Sequence, residues 1–296
     1  MVLTAPHGMS TQQALATLRA SDANGIYDYN HIYIGADSAP PIASTTPTTP
    51  TTPDTDDPRP RIRIGLVDTG VDRSHPIFKD SALNLWGCAD RPVPSAHGTA
   101  VASLMLARVS ADLYAADVYC GLPTGGSVDS IVAALEWMTH QQVAVINMSL
   151  VGPKNARLEH TVAALTARGY LLVAAVGNDG PAAPPLYPAA YPNVVGVTGV
   201  DANRRVLLEA VRGPQVVFAA LGTGLKAANA EHAFSEVRGT SFAAPTVAFL
   251  LAELLSTPDP AMAAAAVDRL AKTAIDLGTP GRDLTYGFGL VGAASP

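Results

Sequence analysis

From Ile62 onward, short apolar runs alternate with segments of helical spacing, and this alternation limits the fold more than any other feature of the chain. "IRIGLVD" precedes helical spacing over about Gly98 to Arg108. "LYAADVYC" precedes a helix from about Ser127 to His140, and "VAVINMSL" one from about Leu158 to Arg168; the strands "YLLVAAVGN" and "VVGVTGVD" follow. Strands that are aliphatic on both faces must be covered on both faces, and strand-helix-strand order makes them parallel. The expected fold is therefore α/β, a three-layer sandwich with a mostly parallel central sheet. Ligands bind such sheets at the carboxyl ends of the strands, so the polar residues at those ends carry the functional question.

Residues 36–60, "ADSAPPIASTTPTTPTTPDTDDPRP", repeat proline and threonine and hold hardly any large apolar side chain. Such a segment favours extended backbone and cannot build a core, so it reads as a linker. It divides residues 1–35 from a main unit at 61–296. In the first piece "STQQALATLRASD" has helical spacing behind a Ser10 cap, and "GIYDYNHIYIG" alternates like a strand.

With 48% apolar residues in 296, the chain has ample material for a large core. A net charge of -6 without a run of Lys or Arg argues against nucleic acid or an anionic membrane as partner. The aliphatic run after Ser241 stops at Glu253, short of a membrane span. The start, "MVLTAPHGMSTQQ", has no basic flank before an apolar segment, so an export signal is either unneeded or not part of this sequence. Cys88 and Cys120, with no Cys/His set nearby, leave one disulfide or two free thiols. A bridge is expected; in the loop-entropy model it contributes roughly 3 to 4 kcal/mol, and it implies an oxidising compartment.

Four polar residues stand where chemistry collects. Asp68 closes the first strand ahead of Thr69-Gly70, His97 precedes a run of small residues, Asn178 ends "AAVGN", and Ser241 opens the aliphatic stretch "RGTSFAAPTVAFLLAELL". Each has a plain alternative: a turn aspartate, a structural histidine such as His75, a strand-end amide such as Asn147, and a helix cap that Thr240 could supply instead. "DTG" also occurs in aspartic proteases, which need a second such aspartate and hence, here, a homodimer. Taken together the four fill the roles of acyl transfer, because a serine hydroxyl is inert until a positioned imidazole takes its proton. A helix start favours developing negative charge at Ser241, and Pro245 is expected within about the first helical turn.

"GLVDTGVDRSHPIF", "HGTAVASLM", "INMSL", "AAVGN", "YPAAYPNVVGVTGVD" and "GTSFAAP" resemble, in order, the motifs of the subtilisin-like serine proteases, the subtilase family. The resemblance runs from Ile62 to about Ala293 and ends on "DLTYGFGLVGA", read as a strand and helix cap. It implies a serine endopeptidase with Asp68 orienting His97, His97 as general base and acid, and Ser241 as nucleophile. Asn178 and the Ser241 N–H would form the oxyanion hole. A protein or peptide substrate would pair as an extra strand between Gly125, Gly126, Ser127 and Ser149, Leu150, Val151, Gly152, with Ala174 to Gly177 (Ala174, Ala175 and Gly177 above all) lining the pocket for P1, the residue whose carbonyl is attacked.

The departures from the family pattern carry their own expectations. Val151 stands where the family commonly has glycine, which predicts small or medium P1 residues; Ala100 replaces a frequent second histidine. No Asp/Asn cluster with calcium-loop spacing appears, so no cofactor is expected and activity should be independent of calcium. Residues 1–35 resemble the end of an inhibitory pro-segment, too short for a whole pro-domain, and cleavage is expected within residues 31 to 61. The resemblance implies a secreted or periplasmic zymogen. The alternatives are a silent or acyl-transferring subtilase that binds or cyclises peptides, and, behind it, the dimeric aspartic protease.

Overall fold

A computed structural model describes residues 2–35, 62–106 and 111–292. The proposed linker and the last residues of the helix expected to end near Arg108 lie outside the described residues, as do Arg61 and Ala293. The strands are β1 (Ile32–Gly35), β2 (Ile62–Asp68), β3 (Ala82–Trp86), β4 (Ala111–Asp117), β5 (Gly126–Ser127), β6 (Val145–Met148), β7 (Leu150–Val151), β8 (Leu171–Ala175), β9 (Val195–Val200), β10 (Val216–Leu221), β11 (Thr223–Ala228) and β12 (Phe234–Arg238). The helices are α1 (Thr11–Ser21), α2 (Ala96–Leu106), α3 (Val128–His140), α4 (Ala156–Ala167), α5 (Thr240–Ala252) and α6 (Pro260–Ala271).

Seven strands form one parallel sheet in the order β10-β9-β8-β6-β2-β4-β3. Side chains alternate across it with period two. Leu66, Val145 and Val173 pack with α2, α5 and α6, while their neighbours Val67, Ile146 and Leu172 pack with α3 and α4. The result is the expected three layers. α5 is apolar around its circumference and accordingly buried on nearly all sides.

The helix boundaries follow local chemistry. Ser10 and Gln13 form a capping box on α1, Ser127 caps α3, and Asn155 caps α4 through the amides of Arg157 and Leu158. Two details differ from expectation at α5. Gly239, not Thr240, is the cap residue, with φ 142 in a region that favours glycine, and no side chain caps the helix. Pro245 is the sixth residue of α5, beyond the first turn, so it removes a helical hydrogen bond.

Only Ile32–Gly35 of "GIYDYNHIYIG" is a strand. Its neighbours spend their polar groups on helix ends instead: Asp28 accepts from the Ala156 amide at 2.8 Å and Asn30 from the Asp129 amide at 3.0 Å. The C-terminal "DLTYGFGLVGA" forms isolated bridges, Leu290 to Ala219 and to Ile275, in place of a regular strand. Cys88 and Cys120 are paired, with Cα atoms 5.2 Å apart, and tie the ends of the adjacent strands β3 and β4 together.

Candidate active site

Asp68, His97, Asn178 and Ser241 come from four separate elements. Asp68 is the last residue of β2; His97 and Ser241 each stand second in their helices, α2 and α5, which pack on each other; Asn178 lies in the loop after β8. His97 Nδ1 lies 2.7 Å from Asp68 Oδ1. A carboxylate only accepts, so Nδ1 carries the proton and Nε2 is the basic nitrogen of the neutral ring. The His97 ring also packs on Phe242, the residue after Ser241, at 5.5 Å between centroids.

Asp68 is 1% exposed and its charge is held by three donors on one oxygen. Besides His97, the Thr69 amide donates at 2.6 Å and the Thr69 hydroxyl at 3.0 Å. That hydroxyl also accepts from the Gly98 amide, which ties the carboxylate to the first turn of α2. Among the described residues, Asp68 Oδ2 and Ser241 Oγ have no hydrogen-bond partner although both are buried. A burial of this kind costs about 1 to 3 kcal/mol per neutral group and more for a charged one, an expense expected where function requires it.

Ser241 is fixed from behind. Pro245 cannot donate to the Ser241 carbonyl, and the Ser149 hydroxyl takes that place at 3.1 Å while accepting from Asn147 Nδ2 at 2.8 Å. Ser149 is thus a buried support of the Ser241 backbone. The Thr240 hydroxyl accepts from the Gly177 amide and the Thr240 amide donates to Asn178 Oδ1, each at 3.3 Å. These contacts bind the first turn of α5 to the loop that carries Asn178.

The two expected substrate edges are not vacant. β1 lies between β5 and β7, antiparallel to both, with Ile32 opposite Ser127, Tyr33 opposite Gly126, Ile34 opposite Val151 and Gly35 opposite Leu150. At Gly125 a Cβ would collide with the Tyr33 carbonyl, so the edge depends on glycine for this approach. Ala174 and Ala175 are fully buried strand residues. Gly177 faces more open crowding: a Cβ there would meet Leu186 at 2.5 Å and Val151 and Val211 at 3.5 Å each. Leu186 and Val211 were not foreseen from the sequence, since nothing in "PPLYP" or "EAVRG" marks a pocket wall.

Among the described residues, Cys88, Asp117 and Cys120 are the only group of three side chains with metal-ligand atoms within 4.8 Å of one another, and the two sulfurs are paired together. No described helix is long and apolar enough to cross a membrane.

Residues 60–289 match the family model described as the subtilase family. The chain is 33% identical over 206 residues to the minor extracellular protease Epr of Bacillus subtilis (strain 168), covering 66% of this chain and 32% of that one. It therefore spans about a third of that relative's length. Subtilisin DY of Bacillus licheniformis is 31% identical over 246 residues, covering 78% of this chain and 88% of the relative. Among solved structures, a lanthipeptide protease superposes with TM-score 0.67 at 22% identity, covering 78% of this chain and 86% of that one. The prenylagaramide maturation protease PagA does so with TM-score 0.67 at 24% identity, covering 78% and 90%. At these identities the two structures speak to the fold.

Proposed function

Because the chain belongs to the subtilase family of serine endopeptidases, we propose that its unit at 61–296 hydrolyses peptide bonds through an acyl-enzyme on Ser241. The observation that carries this reading is the 2.7 Å contact of His97 Nδ1 with the buried Asp68, on a helix packed against the start of α5. Ser241 Oγ attacks the substrate carbonyl as His97 Nε2 takes its proton. His97 then gives that proton to the departing amine, and a water molecule repeats the sequence to free the acid; Asp68 stays ionised throughout. The Ser241 amide, at the positive end of α5, and Asn178 Nδ2 hold the oxyanion. Asn178→Ala is expected to lower kcat by about 10² to 10³, the loss known for the equivalent amide in subtilisin, with an unchanged melting temperature. A loss below about threefold contradicts that role.

In this reading Ile32–Gly35 stands in for substrate and residues 1–35 act as an inhibitory segment. Strand addition between two edges is a general mode of peptide binding, and the Asp28 and Asn30 contacts at the starts of α4 and α3 hold the segment in place. Intact mass tests the proposal: wild type should appear cut between Gly35 and Ile62, and Ser241→Ala should stay full length. Cleavage of Ser241→Ala at the same rate contradicts it.

P1 should be small or medium, because Val151, Leu186 and Val211 close in on Gly177. Leu186→Gly and Val151→Gly are each expected to raise the ratio of kcat/KM for Phe over Ala at P1 by about 10-fold or more. A constant ratio would remove these walls from the specificity site. The Cys88–Cys120 pair and the extracellular relative support action outside the cytoplasm. No calcium is required in this account, so excess EDTA should leave activity and melting temperature unchanged; a large fall in either contradicts it.

A further inference from the structure

We propose that Cys88, Asp117 and Cys120, once the disulfide is reduced, bind one thiophilic divalent cation of the zinc class, so that a metal replaces the bridge as the tie between β3 and β4. The proposal goes beyond the proteolytic reading and does not depend on it. The three side chains converge where the two strands end: Asp117 is the last residue of β4, Cys120 lies three residues further on, and Cys88 lies two residues beyond β3. Their ligand atoms are all within 4.8 Å of one another, and Cys88 Sγ is 3.2 Å from Asp117 Oδ2. Around tetrahedral zinc, with bonds of about 2.3 Å to sulfur and about 2.1 Å to oxygen, ligand atoms stand about 3.6 to 3.8 Å apart. With Cα atoms 5.2 Å apart, the freed sulfurs reach that separation by side-chain rotation.

The carboxylate is already aimed. Asp117 is 2% exposed and held by three amides: those of Tyr119 and Cys120 donate to Oδ1 at 3.0 and 2.9 Å, and that of Val93 to Oδ2 at 2.8 Å. A carboxylate oxygen accepts along two lone pairs, so Oδ2 keeps one for a cation. Donors of this kind fix a ligand's orientation before the metal arrives. Cys120 is exposed, which gives a reductant and the cation a way in and leaves the fourth position to water. Two thiolates and one carboxylate suit zinc over magnesium or calcium, which take oxygen ligands throughout. The reduction balances with a dithiol as reductant: two electrons and two protons pass to the sulfurs, and the dithiol becomes a disulfide. The cation then displaces both thiol protons. In an oxidising compartment the sulfurs hold the tie; in a reducing one the cation does. The tie bears on the cleft because the chain runs from Cys88 through Val93 to His97, and from Cys120 to Gly125.

The test uses the full chain carrying Ser241→Ala, so that no proteolysis intervenes. It is reduced with a water-soluble phosphine, which leaves as its oxide with oxygen from water, freed of excess without air, and titrated with cobalt(II) chloride. One equivalent should produce thiolate-to-cobalt absorption and the intense visible bands of a tetrahedral site, and one equivalent of zinc chloride should abolish them. The oxidised chain should show neither. Loss of a residue that merely orients a ligand costs about 10- to 100-fold in affinity, so Cys120→Ser should weaken zinc binding at least about 100-fold and Asp117→Asn at least about 10-fold. Cys120→Ser changes an exposed side chain and keeps the fold testable. No thiolate absorption in the reduced chain, or equal zinc affinity in the oxidised chain, in Cys120→Ser or in Asp117→Asn, overturns the proposal.

Discussion

Ser241→Ala should lower kcat for peptide hydrolysis by about 10⁶, close to the loss from removing the whole catalytic set, as measured in subtilisin of the same family. The size of the effect follows from the roles being sequential. Without the hydroxyl no acyl-enzyme forms, and His97 and Asp68 have no proton to move. The substitution should barely touch stability. It deletes a single oxygen that makes no hydrogen bond among the described residues and keeps the Ser241 carbonyl available to Ser149. A variant that kept more than about a hundredth of the activity would place the nucleophile elsewhere.

The second large effect is expected at Asp68. Three donors converge on Oδ1, those of the Thr69 amide, the Thr69 hydroxyl and His97 Nδ1. In Asp68→Asn the amide can keep its oxygen toward the Thr69 donors, but the negative charge that stabilises a protonated imidazole is gone. If the amide turns, its NH2 faces His97, and the ring shifts its proton to Nε2, the atom that must accept from Ser241. The first outcome leaves an imidazolium without its counter-charge and the second removes the base, both with the geometry intact, so kcat should fall by up to about 10⁴ with little change in melting temperature. Kinetics and a thermal melt of one purified variant check both halves. A fall below about tenfold would make Asp68 a turn residue.

The parallel sheet and the four polar residues were legible because each is a local signal. Aliphatic runs such as "IRIGLVD" are long enough to show period and burial, and Asp68, Asn178 and Ser241 are marked by standing where such runs begin or end. What escaped depends on partners distant in the chain. β5 and β7 have two residues each, too short for any periodicity, and exist only because β1 pairs with both. The alternation in "GIYDYNHIYIG" suggested a longer strand than forms, since Asp28 and Asn30 serve the starts of α4 and α3. β3, the hairpin of β11 and β12, and α6 also went unread, the first because "ALNLW" mixes polar and apolar residues without a clear period.

Pro245 gives the same lesson at atomic scale. The sequence tolerates a proline early in α5, but its actual place costs the Ser241 carbonyl its helical partner, and the compensation comes from Ser149, 92 residues earlier. A residue expected to line the substrate edge thereby also supports the first turn of α5 at Ser241. Leu186 is comparable: it reaches Gly177 from the loop that precedes Tyr187, a proximity that no pattern in "PPLYP" records.

If Ser241 is a nucleophile activated by His97, a fluorophosphonate probe followed by mapping of the modified peptide will find the label there. Wild type should be labelled on Ser241, His97→Ala should be labelled far more slowly, and Ser241→Ala should take no label. Equal labelling of Ser241→Ala, or modification of wild type at any other residue, would contradict the account.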